Sequence, residues 1–263
     1  MSRDKIEVAP GLGVAEIHAH TLASDGMVSS VELVEGAAKL GLSVVCITDH
    51  DTIAKDIDAG IERGQTVGVD VVVGEEVTTR MRPASGEPGV HVLGLFLERP
   101  VRQHMSIEDT VDAIHDEGGL ALIPHPFAVW YFASLWPRRL RELLETHQLD
   151  GIELRHRVGL RPGGWKALDT FYAAHRDRLG AALGAGDSHH GYADLGSWVT
   201  TFPGSGAAGL RAAIEKQTTS PRQGVPRQRP PVRELLAQQS RATFWLNRQR
   251  RNGGVGQGVG PRR

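Results

Sequence analysis

Histidines and carboxylates recur along this sequence in short groups of one chemistry. His18 and His20 stand two apart, with Asp25 five residues on. Asp49, His50 and Asp51 are consecutive, and Glu75 and Glu76 are adjacent. His91 and His125 stand singly, and Asp187, His189 and His190 close the series. Side chains two apart in an extended strand point to the same face. His18 with His20, and Asp187 with His189, can therefore each aim two donors at one point. Imidazole mixed with carboxylate suits zinc, manganese or iron better than calcium or magnesium, which prefer all-oxygen shells. Without a cation, gathering so many ionisable groups carries a large desolvation and repulsion cost. These residues point to a metal centre, provided that something brings them together.

Nearly all of these groups end a β-favouring run. The runs are VAEIHAH (14–20), LSVVCITDH (42–50), VDVVVGEE (69–76), VHVLGLF (90–96), LALIPH (120–125), LDGIEL (149–154) and LGAALGAGD (179–187). Segments of helical period lie between most of them. SSVELVEGAAKLG opens with a capping box, Ser29 to Glu32, and predicts Val31, Val34 and Ala38 on the inner face. SIEDTVDAIHDEGG starts on Ser106 and Asp109, turns Ile107, Val111 and Ile114 inward, and stops at Gly118 and Gly119. Alternation of this kind predicts parallel strands with crossover helices, and about seven such units favour one α/β barrel over two domains. In that architecture the C-terminal strand ends share one face, so the strand-end groups would converge there.

The bulk numbers exclude some functions. A net charge of −1 argues against a whole-molecule field for nucleic acid or an anionic membrane. The lone Cys46 cannot form an internal disulfide and reads as an inert buried thiol. No apolar stretch approaches the roughly 18 residues of a spanning helix, and MSRDKIEVAPG lacks the apolar core of a signal peptide. No membrane partner and a cytoplasmic location are the expectation. Composition shifts after Thr219: residues 220–263 are rich in Arg, Pro, Gln and Gly, with Glu234 the one acidic residue. The expected division is a catalytic barrel over 1–219 and a flexible basic tail over 220–263, with one possible helix at 232–247 and a disordered GGVGQGVGPRR end. Deleting that tail is expected to leave any turnover at the barrel within a few-fold, although a basic arm could also hold nucleic acid.

Five of these segments together resemble the PHP (polymerase and histidinol phosphatase) superfamily. EIHAHTLASDG is similar to its first motif, commonly D-L-H-x-H-T-x-x-S-D-G, and ITDHDT to its second. GEEVTT resembles the G-x-E segment, IPHPF the H-P segment and AGDSHH the S-D-x-H ending, in the same order over residues 14–216. Glu16 stands where the family usually has Asp, and Gly186 where it often has Ser. The resemblance implies a distorted seven-stranded (β/α)7 barrel and a free-standing phosphoesterase with two or three divalent ions (Mn, Zn or Fe). It implies one metal held by His18, His20, Glu76 and Asp187, and a second by Glu76, His91 and His125. A third would lie among Asp25, His50 and His189. Of the adjacent pair, it selects Glu76 as inward and leaves Glu75 to the barrel's outside or to a supporting place behind the ligands.

The expected reaction is hydrolysis of a phosphate ester of a nucleotide or other small molecule by water activated on the metals. Asp49 and Asp51 would orient His50 or hydrogen-bond that water, or serve as turn residues. His50 or His189, where free of metal, could act as general acid. Substrate contacts are expected from His156, His190 and a phosphate clamp: Arg155 or Arg161 after the sixth run, or Arg80 or Arg82 after the third. The remaining histidines, His104, His115, His147 and His175, read as solvated. A nuclease on single-stranded nucleic acid, and a carboxylic or carbamate ester hydrolase on the same scaffold, are the alternatives.

Overall fold

A computed structural model of the chain describes residues 4–80, 89–128 and 133–251. The strands are β1 (Leu12–Glu16), β2 (Val44–Ile47), β3 (Asp70–Thr78), β4 (His91–Leu95), β5 (Leu120–Ile123), β6 (Gly151–His156), β7 (Ala181–Ala185), β8 (Trp198–Pro203) and β9 (Ser220–Gln223). The helices are α1 (Ser30–Leu40), α2 (Ile57–Val67), α3 (Ile107–Asp116), α4 (Pro137–Thr146), α5 (Gly164–Leu179), α6 (Gly206–Glu215) and α7 (Val232–Arg251). Both predicted caps form: Ser29 accepts from the Glu32 amide while Glu32 reaches back to the Ser29 amide, and Ser106 accepts from the Asp109 amide. The inner face of α1 is rotated from the expected one. Leu33, Val34, Ala37 and Leu40 are buried, and Val31 and Ala38 only partly.

All nine strands form one sheet, in the order β7-β6-β5-β4-β3-β2-β1-β8-β9. The expectation of seven parallel strands is corrected in two ways. First, β4 runs antiparallel to both β3 and β5. The Pro- and Gly-rich sequence between β3 and β4 has no helical period, and antiparallel neighbours need no crossover helix. Reversal places the start of β4, and so His91, at the same rim as the C-terminal ends of the other strands. Second, β8 pairs antiparallel with β1, and β9 with β8.

The sheet nearly closes. Beyond β1 and β7 the two chains meet in a parallel bridge, with the His20 amide donating to the Ser188 carbonyl (2.8 Å) and the Ser188 amide to the His18 carbonyl (3.1 Å). Below that bridge β8 fills the gap, and the Thr200 hydroxyl bonds both the amide and the carbonyl of Gly184. Buried apolar side chains pack inside the barrel and between sheet and helices, Cys46 among them. Among the described residues, no helix is long and apolar enough to cross a membrane.

Glu16 stands at the closing seam. Its carboxylate accepts from the amides of Gly186 (2.7 Å) and Gly196 (3.0 Å). A Cβ on Gly186 would lie 2.2 Å from Glu16 Oε2, so the longer acid at 16 occupies the room that a side chain at 186 would need. The expected tail also enters the fold, because its first four residues are β9. Arg241 of α7 donates to the carbonyls of Leu22 (2.7 Å) and Ser24 (3.1 Å), which holds the helix on the loop after β1. The predicted disordered end, GGVGQGVGPRR, lies outside the described residues.

Two outcomes follow. Gly186→Ala should destabilise the protein by about 1–3 kcal/mol through overpacking, and adding Glu16→Asp should restore at least half of that loss. A Gly186→Ala protein that melts like the parent would remove the steric coupling. Deleting residues 220–263 removes β9 and α7 and should lower the melting temperature by roughly 5–10 °C. An unchanged melting curve would mean that these elements do not stabilise the barrel.

Candidate metal centre

The rim formed by the strand ends carries the ionisable residues singled out in the sequence. His18 and His20 follow β1, Asp25 sits on the next loop, His50 follows β2, Glu76 lies within β3, and His91 opens β4. His125 follows β5, while Asp187 and His189 follow β7. All nine are buried.

Glu76 is the hub. Its Oε1 contacts His91 Nδ1 (2.6 Å) and His125 Nε2 (2.9 Å). Its Oε2 contacts His18 Nε2 (3.0 Å), His50 Nδ1 (3.2 Å) and His20 Nε2 (3.3 Å). Burial alone would raise the Glu76 pKa, but the surrounding imidazoles, His91 foremost, hold it well below the ordinary carboxylate value. Glu75 faces the other way: its Oε2 accepts from the Val101 amide (2.7 Å), under the segment that follows β4.

The other two inner carboxylates flank the same imidazoles. Asp187 Oδ1 lies 3.5 Å from His20 Nε2 and 3.6 Å from His189 Nδ1, while its Oδ2 accepts from Arg157 (3.1 Å). Asp25 Oδ1 lies 3.5 Å from His20 Nδ1 and 3.8 Å from His50 Nε2, and its Oδ2 lies 3.3 Å from His189 Nε2. Four sets place their donor atoms within 4.8 Å of one another: His18/His20/Glu76, His20/Asp187/His189, His20/Asp25/His50 and His50/Glu76/His91. His20 belongs to three of these and His50 to two, so the groups merge more than the expected three-way partition. His125 falls in none of them, and joins the centre through Glu76 Oε1.

The donor set fits cations. His18 Nε2 and His20 Nε2 face each other at 3.1 Å. His20 Nδ1, Asp25 Oδ1 and Asp187 Oδ1 are buried without hydrogen-bond partners, an arrangement that costs free energy unless another group engages them. The stacked rings of His20 and His189, 4.4 Å apart, titrate in opposite directions. Burial, aided by the His189 charge, lowers His20 to about 3. Burial also acts to lower His189, but the Asp25 and Asp187 charges override it and raise that ring to about 9.

Other expected site residues lie elsewhere. Asp49 does not face the centre. Its carboxylate accepts from the amides and hydroxyls of Thr21 and Ser24, so it anchors the loop that carries Asp25 rather than a reacting water. Asp51 Oδ1 accepts from the Thr78 amide (2.6 Å). Arg155 turns outward, forming a two-point ion pair with Asp169 of α5 and lying over Trp165. The cause is an irregularity in β6 between Glu153 and Arg155, which breaks the two-residue alternation. Arg161 and Arg80 are exposed, with Arg80 on the His104 carbonyl, and Arg82 lies outside the described residues. His156 is buried against the ring of Trp165, where burial lowers it to about 4. His190 Nδ1 meets Glu234 Oε1 of α7 at 3.0 Å.

Three residues at the centre were missed in the sequence. Glu153, fully buried in β6, contacts His18 Nδ1 (2.7 Å) and accepts from the His125 amide (2.7 Å). Arg157 bonds Asp187, and Asp194 accepts from the Ser188 hydroxyl and the amides of His189 and His190. A carboxylate inside an apolar strand was the available signal for Glu153. Arg157 and Asp194 sit in loops where periodicity is silent.

Comparison with known proteins agrees with this geometry. The PHP domain family model matches residues 16–157. The chain is 31% identical over 160 residues to an uncharacterized protein of Methanocaldococcus jannaschii, covering 56% of this chain and 85% of that one. It is 36% identical over 84 residues to a 5'-3' exoribonuclease of Haemophilus influenzae, covering 32% of this chain and 29% of that one. It is 35% identical over 85 residues to a phosphoribosyl 1,2-cyclic phosphate 1,2-diphosphodiesterase of Eggerthella lenta, covering 32% and 31%. The matched segment thus spans less than a third of either enzyme. Among solved structures, a two-domain protein of Bacteroides vulgatus containing a predicted PHP-like metal-dependent phosphoesterase superposes with a TM-score of 0.66 at 19% identity, over 92% of this chain and 74% of that one; that likeness concerns the fold. With the model covering more than half of the sequence and the strand-end histidines and carboxylates meeting at one rim, the chain belongs to the PHP domain family.

Proposed function

We propose that this metal-dependent hydrolase of phosphoester bonds acts on a phosphate ester of a nucleotide or other small molecule. The observation that carries the reading is the convergence of five imidazoles on the two oxygens of Glu76, with Asp25 and Asp187 presenting further buried oxygens to the same space. More than one divalent ion is needed to engage so many donors. Such ions, when bound, supply Lewis acidity to phosphoryl oxygens and lower the pKa of water. The exoribonuclease and the cyclic-phosphate diphosphodiesterase both cleave P–O bonds, which supports the reaction class.

The chain's own residues divide the remaining work. Glu76 would help hold more than one ion, with one oxygen turned to His91 and His125 and the other to His18, His20 and His50. Asp187 turns Oδ1 to the centre while Arg157 holds Oδ2. Glu153 fixes the His18 ring through Nδ1, leaving Nε2 to face inward. His50 and His189 both lie in metal-sized groups, so they are assigned to ion binding rather than to proton transfer.

Purified protein should carry more than one equivalent of Mn, Zn or Fe by elemental analysis. It should turn over members of a phosphoester panel faster than an aryl carboxylic ester, and lose that turnover on chelation. Absence of these metals, with no activation when they are added, would remove the metal centre. Faster cleavage of the carboxylic ester would move the protein to another hydrolase class.

Glu76→Gln should lower turnover by roughly a hundredfold or more, as expected for loss of a transition-state charge contact. Glu75→Gln, on the opposite face of β3, should cost less than about tenfold in the same assay. The reverse order would show that β3 presents Glu75, not Glu76, to the ions. Glu153→Gln should weaken metal affinity by roughly 10- to 100-fold, in the range for partners that orient metal ligands. Unchanged affinity in a competition titration would exclude that role.

A further inference from the structure

The last helix lies on the barrel with its polarity reversed. A surface helix normally turns its apolar stripe inward. In α7 the large apolar side chains described, Val232 (72%), Leu235 (39%), Leu236 (66%) and Phe244 (69%), are all exposed. A polar stripe faces the rim instead. Glu234, Gln238 and Arg241 stand at i, i+4 and i+7, on one side of the helix. Glu234 Oε1 meets His190 Nδ1 (3.0 Å), Gln238 Nε2 donates to Asp25 Oδ2 (3.4 Å), and Arg241 donates to the carbonyls of Leu22 and Ser24. Polar contacts with the two ligand-bearing loops therefore hold this side of the helix.

Gln238 is the member of the stripe that reaches a ligand. It is buried, and its Oε1 accepts from Gln239 Nε2 (3.0 Å), which leaves Nε2 for Asp25. Asp25 divides its two oxygens. Oδ2 meets Gln238 and lies 3.3 Å from His189 Nε2. Oδ1 is buried without a hydrogen-bond partner, 3.5 Å from His20 Nδ1 and 3.8 Å from His50 Nε2. His20, Asp25 and His50 form one of the metal-sized groups. The backbone that carries Asp25 is held by Asp49 at the Thr21 and Ser24 amides, and by Arg241 at the Leu22 and Ser24 carbonyls. Gln238 acts on the side chain itself. An amide suits that place, because it donates to a carboxylate oxygen without adding a positive charge that would repel a cation.

Building on the metal-dependent reading above, we propose that Gln238 is a positioning residue of the metal centre: it holds Asp25 Oδ2, presents Oδ1 to an ion among His20, Asp25 and His50, and makes retention of that ion depend on α7. The segment whose composition reads as a tail thus completes the site that precedes it.

The test is removal of ions from the metal-loaded full chain by a chromophoric chelator, once after loading with Mn²⁺ and once with Zn²⁺. Gln238→Met keeps the size of the side chain and loses the donor. It should weaken one ion by roughly 10- to 100-fold and leave the others within about threefold, in the range for partners that orient metal ligands. Arg241→Gln, which loosens the helix without touching Gln238, should weaken the same ion by about three- to tenfold. Leu236→Ser, on the exposed side, should leave every ion as in the parent. A merely structural role would weaken all ions alike. That result in Gln238→Met, or unchanged release of every ion, would overturn the assignment. A parent that holds neither metal would refute the metal centre together with this role. Ions retained without phosphoester turnover would refute the functional reading, while the release titration still decided the role of Gln238.

Discussion

A single buried carboxylate shared among five imidazoles governs this molecule. Glu76 meets His18, His20, His50, His91 and His125, and those residues come from four different strand ends. Such a meeting requires every strand to bring its end to one rim, which parallel strands do by topology. The strand β4 satisfies the requirement by reversal: it runs against its neighbours, and His91 is therefore its first residue, not its last. Closure serves the same end. The bridge between Ala19 and Ser188 joins the chain after β1 to the chain after β7, bringing Asp187 and His189 against His20.

Around this centre lies an outer ring of carboxyl groups, buried except for the half-buried Asp51, whose partners are mostly backbone amides. Glu153 receives the His125 amide and the His18 ring, and Asp194 the amides of His189 and His190. Asp49 receives the amides of Thr21 and Ser24 ahead of Asp25. Glu16 receives those of Gly186 and Gly196. Asp51 receives the Thr78 amide and Glu75 the Val101 amide. Loops need their amides satisfied when buried, and carboxyl oxygens supply the acceptors here. Ligand-bearing loops are thus held by carboxyl groups that do not themselves reach the cations; burial raises the pKa of Glu16 (to about 8), Glu75, Asp49 and Asp51, whereas the Arg157 charge overrides burial and lowers that of Asp194. The same outer ring explains why Glu75 and Glu76 can both be buried: each faces a different set of donors.

Much of this was legible in the sequence. Two-residue spacing predicted the shared face of His18 and His20, and strand-end placement predicted their convergence with Glu76, Asp187 and His189. Local patterning reveals which residues lie at an element's end, but it does not reveal strand direction. The reversal of β4 follows from a connection without helical period, and only the sheet shows it. Arg155 misled for a similar reason: alternation places it with Glu153, and the irregularity in β6 turns it out to Asp169. The strands β8 and β9 escaped notice because Trp198–Pro203 carries no ligand and Ser220–Gln223 reads as polar tail. Glu153 was the most readable of the missed residues, since a carboxylate amid apolar strand residues must find strong partners.

Backbone conformation carries the last part of the design. Asp51, His125 and Asp187 all have positive φ (48°, 30° and 48°), a region that costs non-glycine residues free energy. Each follows a strand that ends at the rim, and each must turn sharply so that a side chain or its neighbour points inward instead of along the sheet. Asp and His are among the residues that tolerate this turn best. The local cost is offset by bonds the turn makes available. At His125, Glu153 holds the backbone amide while Glu76 holds Nε2. At Asp187, Arg157 holds one carboxylate oxygen, and the other faces His20 and His189. Glycine would relax the turn at His125 or Asp187 but would remove the donor, so at these two strand ends the strained residue is also the one that reaches the centre, whereas after β2 the strained Asp51 follows the donor His50.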